Sequence, residues 1–125
     1  MLNLKSIGRA ILTGACVLTI CLMTGETASA RPGYLKSFKA EYGKKYEGTS
    51  VKMSCALCHP TKSKKERNNY GAAMGKALGK KNEKDAKAIT EALHKAAKEK
   101  SATDGKTFGD LIDDGKEPGT KDVAK

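Results

Sequence analysis

Cys55-Ala56-Leu57-Cys58-His59 is the stretch whose residue types and spacing could do chemistry. Two thiols sit two residues apart, and an imidazole follows the second directly. Four chemistries use such a pattern, and each makes a demand on the rest of the chain. A thioredoxin-like dithiol expects a βαβ pattern around it. A zinc site needs four ligands, usually a second Cys or His pair. A purely structural disulfide across C-x-x-C closes so small a loop that it stabilises little. In covalent haem attachment, two thiols add to the two porphyrin vinyl groups. One short turn then presents both sulfurs along one edge of the ring, and the adjacent histidine binds the iron.

The remaining residues weigh on these alternatives. His94 is the only other histidine, and the other two cysteines, Cys16 and Cys21, fall near the N-terminus. That N-terminus has the pattern of a secretory signal. Lys5 and Arg9 precede the apolar run 11–23, and Ala28 and Ala30 give the small-residue A-x-A site. The run is too short for a membrane span, which takes about 20 residues; the alternative is a leader kept as an anchor. We expect residues 1–30 to be a signal peptide and the mature chain to start at Arg31. Residues 31–116 are expected to form one haem-binding helical domain and residues 117–125 a flexible tail.

Removing Lys5, Arg9 and Glu26 with the leader leaves 22 basic and 13 acidic residues, a formal charge of +9 over 95 residues. Large apolar side chains are few: Leu35, Phe38, Val51, Met53, Leu57, Met74, Leu78, Ile89, Leu93, Phe108, Leu111 and Ile112. A core this thin is expected to need something more, and a large flat hydrophobic cofactor would supply it.

The elements that must position the pentapeptide read as helical. Lys, Ala and Glu dominate, β-branched residues are scarce, and no stretch alternates as a strand does. "PGYLKSFKAEY" spaces Leu35, Phe38 and Tyr42 on one face. "NNYGAAMGKAL" does the same for Tyr70, Met74, Ala77 and Leu78, with Asn68 or Asn69 as cap and Gly79 as stop. "NEKDAKAITEALHKAAKEK" carries Ala86, Ile89, Leu93, Ala96 and Ala97, with Asn82 expected as its cap. "TFGDLIDDG" starts at Thr107 and turns Phe108, Leu111 and Ile112 inward. "TKSKKER", residues 61–67, reads as a solvated basic loop.

With "CALCH" and the downstream "RNNYG" at residues 67–71, the chain resembles a small single-haem c-type cytochrome. The second stretch is similar to the asparagine-aromatic-glycine turn that follows the haem motif in some small bacterial cytochromes. The resemblance implies an all-α, cytochrome c-like fold wrapped around one covalent haem c. It also implies that Cys55 and Cys58 carry the thioethers, that His59 is the proximal iron ligand, and that the chain transfers electrons. The chain departs from the best-known small cytochromes at the sixth ligand, because no methionine follows Met74. Met74 at mid-stripe, His94 at a stripe edge, water and a vacant position stay open; Met53 lies too close to Cys55 to cross the ring.

The expected function is therefore an exported, periplasmic or secreted electron carrier, not an enzyme. The alternatives are a haem-based gas or ligand sensor with a vacant sixth site, and a C-x-x-C thiol-disulfide oxidoreductase. The positive charge suggests an acidic redox-partner protein, met through Lys62, Lys64 and Lys65 beside the haem histidine. An exported chain does not meet nucleic acid.

Overall fold

A computed structural model describes residues 30–125, and the predicted leader up to Ser29 lies outside them. The described residues are all-α. Four helices follow one another: α1 (Ala30–Tyr42), α2 (Asn69–Leu78), α3 (Ala86–Ala97) and α4 (Phe108–Asp113). Two 3₁₀ turns, Gly43–Tyr46 and Cys55–Leu57, sit between α1 and α2. No strand forms among the described residues; the isolated bridge Lys100–Thr107 only pins the loop before α4. No helix among them is long and apolar enough to cross a membrane.

The sequence caps place α2 and α4 as expected. Asn68 accepts the Gly71 N–H at the start of α2, and Gly79 closes it in the left-handed region at φ 69°. Thr107 and Asp110 form a reciprocal capping box on α4. The start of α3 differs from expectation. Asp85, not Asn82, is its cap, accepting from the Lys87 N–H. Asn82 instead takes φ 57°, which no helical first turn allows. Its neighbour Glu83 binds the Lys84 and Asp85 N–H groups with its carboxylate, so the chain turns before it coils.

α3 is the central helix, packed on both α1 and α2, and α4 closes one end. Phe38, Leu57, Met74, Ala92, Leu93, Ala96, Phe108 and Ile112 meet in one buried cluster with Tyr46 and Tyr70. The two tyrosines are what the apolar inventory left out. Tyr70 packs edge-on against Phe38 at 6.2 Å and Phe108 at 5.2 Å, and Phe38 also touches Tyr46 at 5.9 Å. Aromatic rings bury far more area than aliphatic side chains do, so Tyr46 and Tyr70 add substantially to this core. Tyr46 reaches it because the chain continues past Gly43 in a 3₁₀ turn; its hydroxyl donates to the Lys116 carbonyl.

Candidate cofactor-attachment turn

Ser54 starts the turn. Its side chain accepts the Ala56 N–H, and the Cys58 and His59 N–H groups both fold back on the Cys55 carbonyl, at 3.2 and 2.9 Å. The backbone thus winds once between the two cysteines. Leu57 is driven into the core and Ala56 is left outside. Both thiols are free. Cys55 is exposed, whereas Cys58 packs against the core cluster. Burial, with the neighbouring Cys55, pushes the Cys58 thiol up to about 11 despite the opposing Arg67 charge.

His59 is held by one contact that fixes its chemistry. Its Nδ1 lies 2.8 Å from the backbone carbonyl of Glu66. A carbonyl only accepts, so Nδ1 carries a hydrogen, and in the neutral ring Nε2 keeps the lone pair. A ligand that binds through Nε2 needs that tautomer, and the hydrogen bond at Nδ1 orients the ring.

The residues 67–71 brace the turn from behind. Asn68 is 1% exposed and fully satisfied. Its Nδ2 donates to the Leu57 carbonyl at 2.9 Å and to the Thr120 carbonyl at 3.0 Å, while its Oδ1 takes the Gly71 N–H at 2.9 Å. Its backbone N–H donates to the Cys58 carbonyl at 2.9 Å. Gly71 has a steric reason: a Cβ there would stand 2.5 Å from that same Cys58 oxygen. Only glycine lets the first turn of α2 press on the cysteine turn. Tyr70, between them, points into the core at 0% exposure, and its hydroxyl has no partner. Burial raises its pKa, so the phenol is neutral. An unpaired buried hydroxyl costs about 1–3 kcal/mol.

Residues 117–125, expected as a flexible tail, run back over this brace. Pro118 is fully buried. Gly119 lies so close to the Asn68 amide that a Cβ there would overlap it. The Thr120 N–H donates to Asn69 at 2.8 Å, and the Ala124 N–H donates to the Arg67 carbonyl at 2.8 Å. The strap and the Asn68–Leu57 tie carry no signature in composition or periodicity. The closest sequence signal was the tandem Asn68-Asn69 followed by Gly71.

The candidate sixth ligands are not brought out alike. Met74 is a core residue at 7% exposure. Met53 packs partly buried against the cluster. His94 is on the outer side of α3, where Nε2 meets the Glu41 carboxylate of α1 at 2.6 Å. Among the described residues, no three His, Cys, Asp or Glu side chains converge as a metal site, so the zinc alternative finds no ligand set there. The cysteine–histidine donor set itself suits haem c. One exposed and one inward thiol flank a turn, the histidine offers Nε2, and an orphaned buried hydroxyl lies in the core beneath. Two clefts lie elsewhere. One of about 520 Å³ is lined by Tyr42, His94, Thr107 and Asp110, and one of about 420 Å³ by Ala73, Lys76, Ala77 and Lys95.

Compared with known proteins, the chain matches no family model, no curated protein and no solved structure.

Proposed function

We propose that this chain is an exported single-haem c-type cytochrome that carries electrons. The observation that carries the reading is the His59 ring. It directly follows a C-x-x-C turn, and its Nδ1 is tied to the Glu66 carbonyl, which in the neutral ring leaves the Nε2 lone pair free. Cys55 and Cys58 would hold the haem through thioethers, and His59 would hold its iron. When bound, the haem supplies the one-electron chemistry. The chain supplies the rest: a braced turn that fixes the spacing of the sulfurs, a set tautomer at His59, and a water-poor interior of aromatic rings. Lys62 and Lys65 stand exposed, and Lys64 half-exposed, on the loop that leads from His59 to Glu66. They suit docking of an acidic redox-partner protein. The leader motif at residues 1–30 supports a periplasmic or secreted place.

A second reading, a gas-binding or sensor haem protein, is favoured by one feature. His94 is engaged by Glu41 and Met74 is taken up in packing, so neither side chain stands ready for the sixth position.

Extraction with acid–acetone tests the first reading. Colour should stay with the protein, and a colourless protein would overturn it. Rapid binding of carbon monoxide to the reduced protein would turn the function toward the second reading.

A further inference from the structure

Of all the buried side-chain polar atoms among the described residues, the Tyr70 hydroxyl alone lacks a hydrogen bond. Its neighbours show how completely this chain otherwise pairs such groups. Asn68, two residues earlier, uses both ends of its amide. Tyr46, in the same aromatic cluster, donates to the Lys116 carbonyl. Tyr34 accepts the Glu83 N–H. Phenylalanine at position 70 would pack against Phe38 and Phe108 as well and would leave nothing unpaired. The fold alone therefore gives no reason for the hydroxyl.

Its position supplies one. Tyr70 is in the first turn of α2, the turn that Gly71 allows to press on the Cys58 carbonyl. It belongs to the same cluster as Met74, and Cys58 packs against that cluster. Cys58 therefore borders the same cluster that encloses the hydroxyl.

We propose that the Tyr70 hydroxyl is a hydrogen-bond donor to the bound cofactor, meeting an acceptor that the cofactor brings into the core. This rests on the haem reading above. A haem offers two sources of such an acceptor: a carboxylate of the porphyrin, or the ligand on the open face of the iron. Both share the same chemistry, a lone pair delivered to a dry interior where a neutral phenol waits.

The test is Tyr70→Phe in two states of the full chain, loaded with haem and made without a haem-attachment system. In the haem-free chain, removing an unpaired hydroxyl should leave the melting temperature unchanged or raise it. In the loaded chain it should fall by several degrees. Two further measurements on loaded protein separate the sources. If the acceptor is on the iron, Tyr70→Phe shifts the stretching frequency of bound carbon monoxide and leaves the pH dependence of the midpoint potential alone. If it is a porphyrin carboxylate, the pH dependence shifts and the stretching frequency stays. An equal change of melting temperature in both states, the result expected of a buried water on the hydroxyl, overturns the proposal. So does a loaded protein in which neither spectroscopic nor potentiometric property moves. Should the haem-free chain lack a cooperative transition, those two properties decide alone. A colourless parent defeats the haem reading and this inference together; a coloured parent with a silent Tyr70→Phe defeats only the inference.

Discussion

The two histidines of this chain sit in opposite kinds of place. His59 is on irregular backbone, beside a turn braced by Asn68, and its Nδ1 is tied to a carbonyl. His94 is on the regular helix α3, half-exposed, and its Nε2 is tied to a carboxylate across the helix pair. A carbonyl at Nδ1 orients the ring and, in its neutral form, leaves Nε2 with a lone pair. A carboxylate at Nε2 engages the nitrogen that would otherwise bind a metal. Regularity of the surrounding backbone thus says little about which histidine can work; the partner of each ring nitrogen says nearly everything.

The largest expected effect breaks that contrast directly. His59→Ala should abolish the native haem spectrum of exported protein, while His94→Ala should leave it intact; optical spectra of the two variants make the comparison. Equal spectra would dissolve the distinction.

Next is the brace. Asn68→Ala strips partners from the Leu57 and Thr120 carbonyls and the Gly71 N–H at once. With about 1–3 kcal/mol for a buried group left unpaired, thermal melting should show a loss of at least about 2 kcal/mol. Asp85→Ala, which removes an exposed helix cap, should cost about 1 kcal/mol. Gly71→Ala tests the close approach behind the turn. A Cβ placed 2.5 Å from the Cys58 oxygen forces α2 away from it, with an overpacking cost of about 1–3 kcal/mol. Denaturant unfolding of the haem-free chain measures it.

A smaller effect concerns pH. Burial raises the Cys58 thiol from 9.0 to about 11 in the folded chain. The folded state then holds that proton more tightly than the unfolded one. The resulting stability is whole below pH 9 and is lost as pH rises toward about 11. Haem-free chain should weaken in that window, and Cys58→Ala should flatten the decline there; a thioether, which does not ionise, should do the same in loaded protein. Alkaline melting curves check both. The smallest effect is at the outer pair. Glu41→Gln should change stability by less than about 1 kcal/mol, as exposed ion pairs do, and the change should shrink further in high salt.

The all-α class and the boundaries of α2 and α4 were legible because their signals are local. Asn68 and Gly79 bracket one helix, and Thr107 with Asp110 opens the other, each within a few residues of what it controls. The cap of α3 was misplaced because Asn82 and Asp85 are equally good cap residues in sequence. Only the left-handed backbone at Asn82, with Glu83 satisfying the next N–H groups, decides between them. Cys55, Cys58 and His59 were visible as a motif, but not the carbonyl of Glu66 that orients the ring, since a backbone oxygen has no residue type. The hold on residues 117–125 was hidden for another reason: its ties span 51 and 52 residues, and composition there reads as a frayed end.

That same long span gives the strap a consequence in time. The cysteine turn leaves the ribosome well before the residues that fasten it. Thr120 follows Asn68 by 52 residues, which at about 5–20 residues per second is a delay of about 3–10 s. During that interval the turn has its own hydrogen bonds but not its clasp. A nascent chain therefore carries its cysteine turn without the Asn68–Thr120 tie until Thr120 has been made.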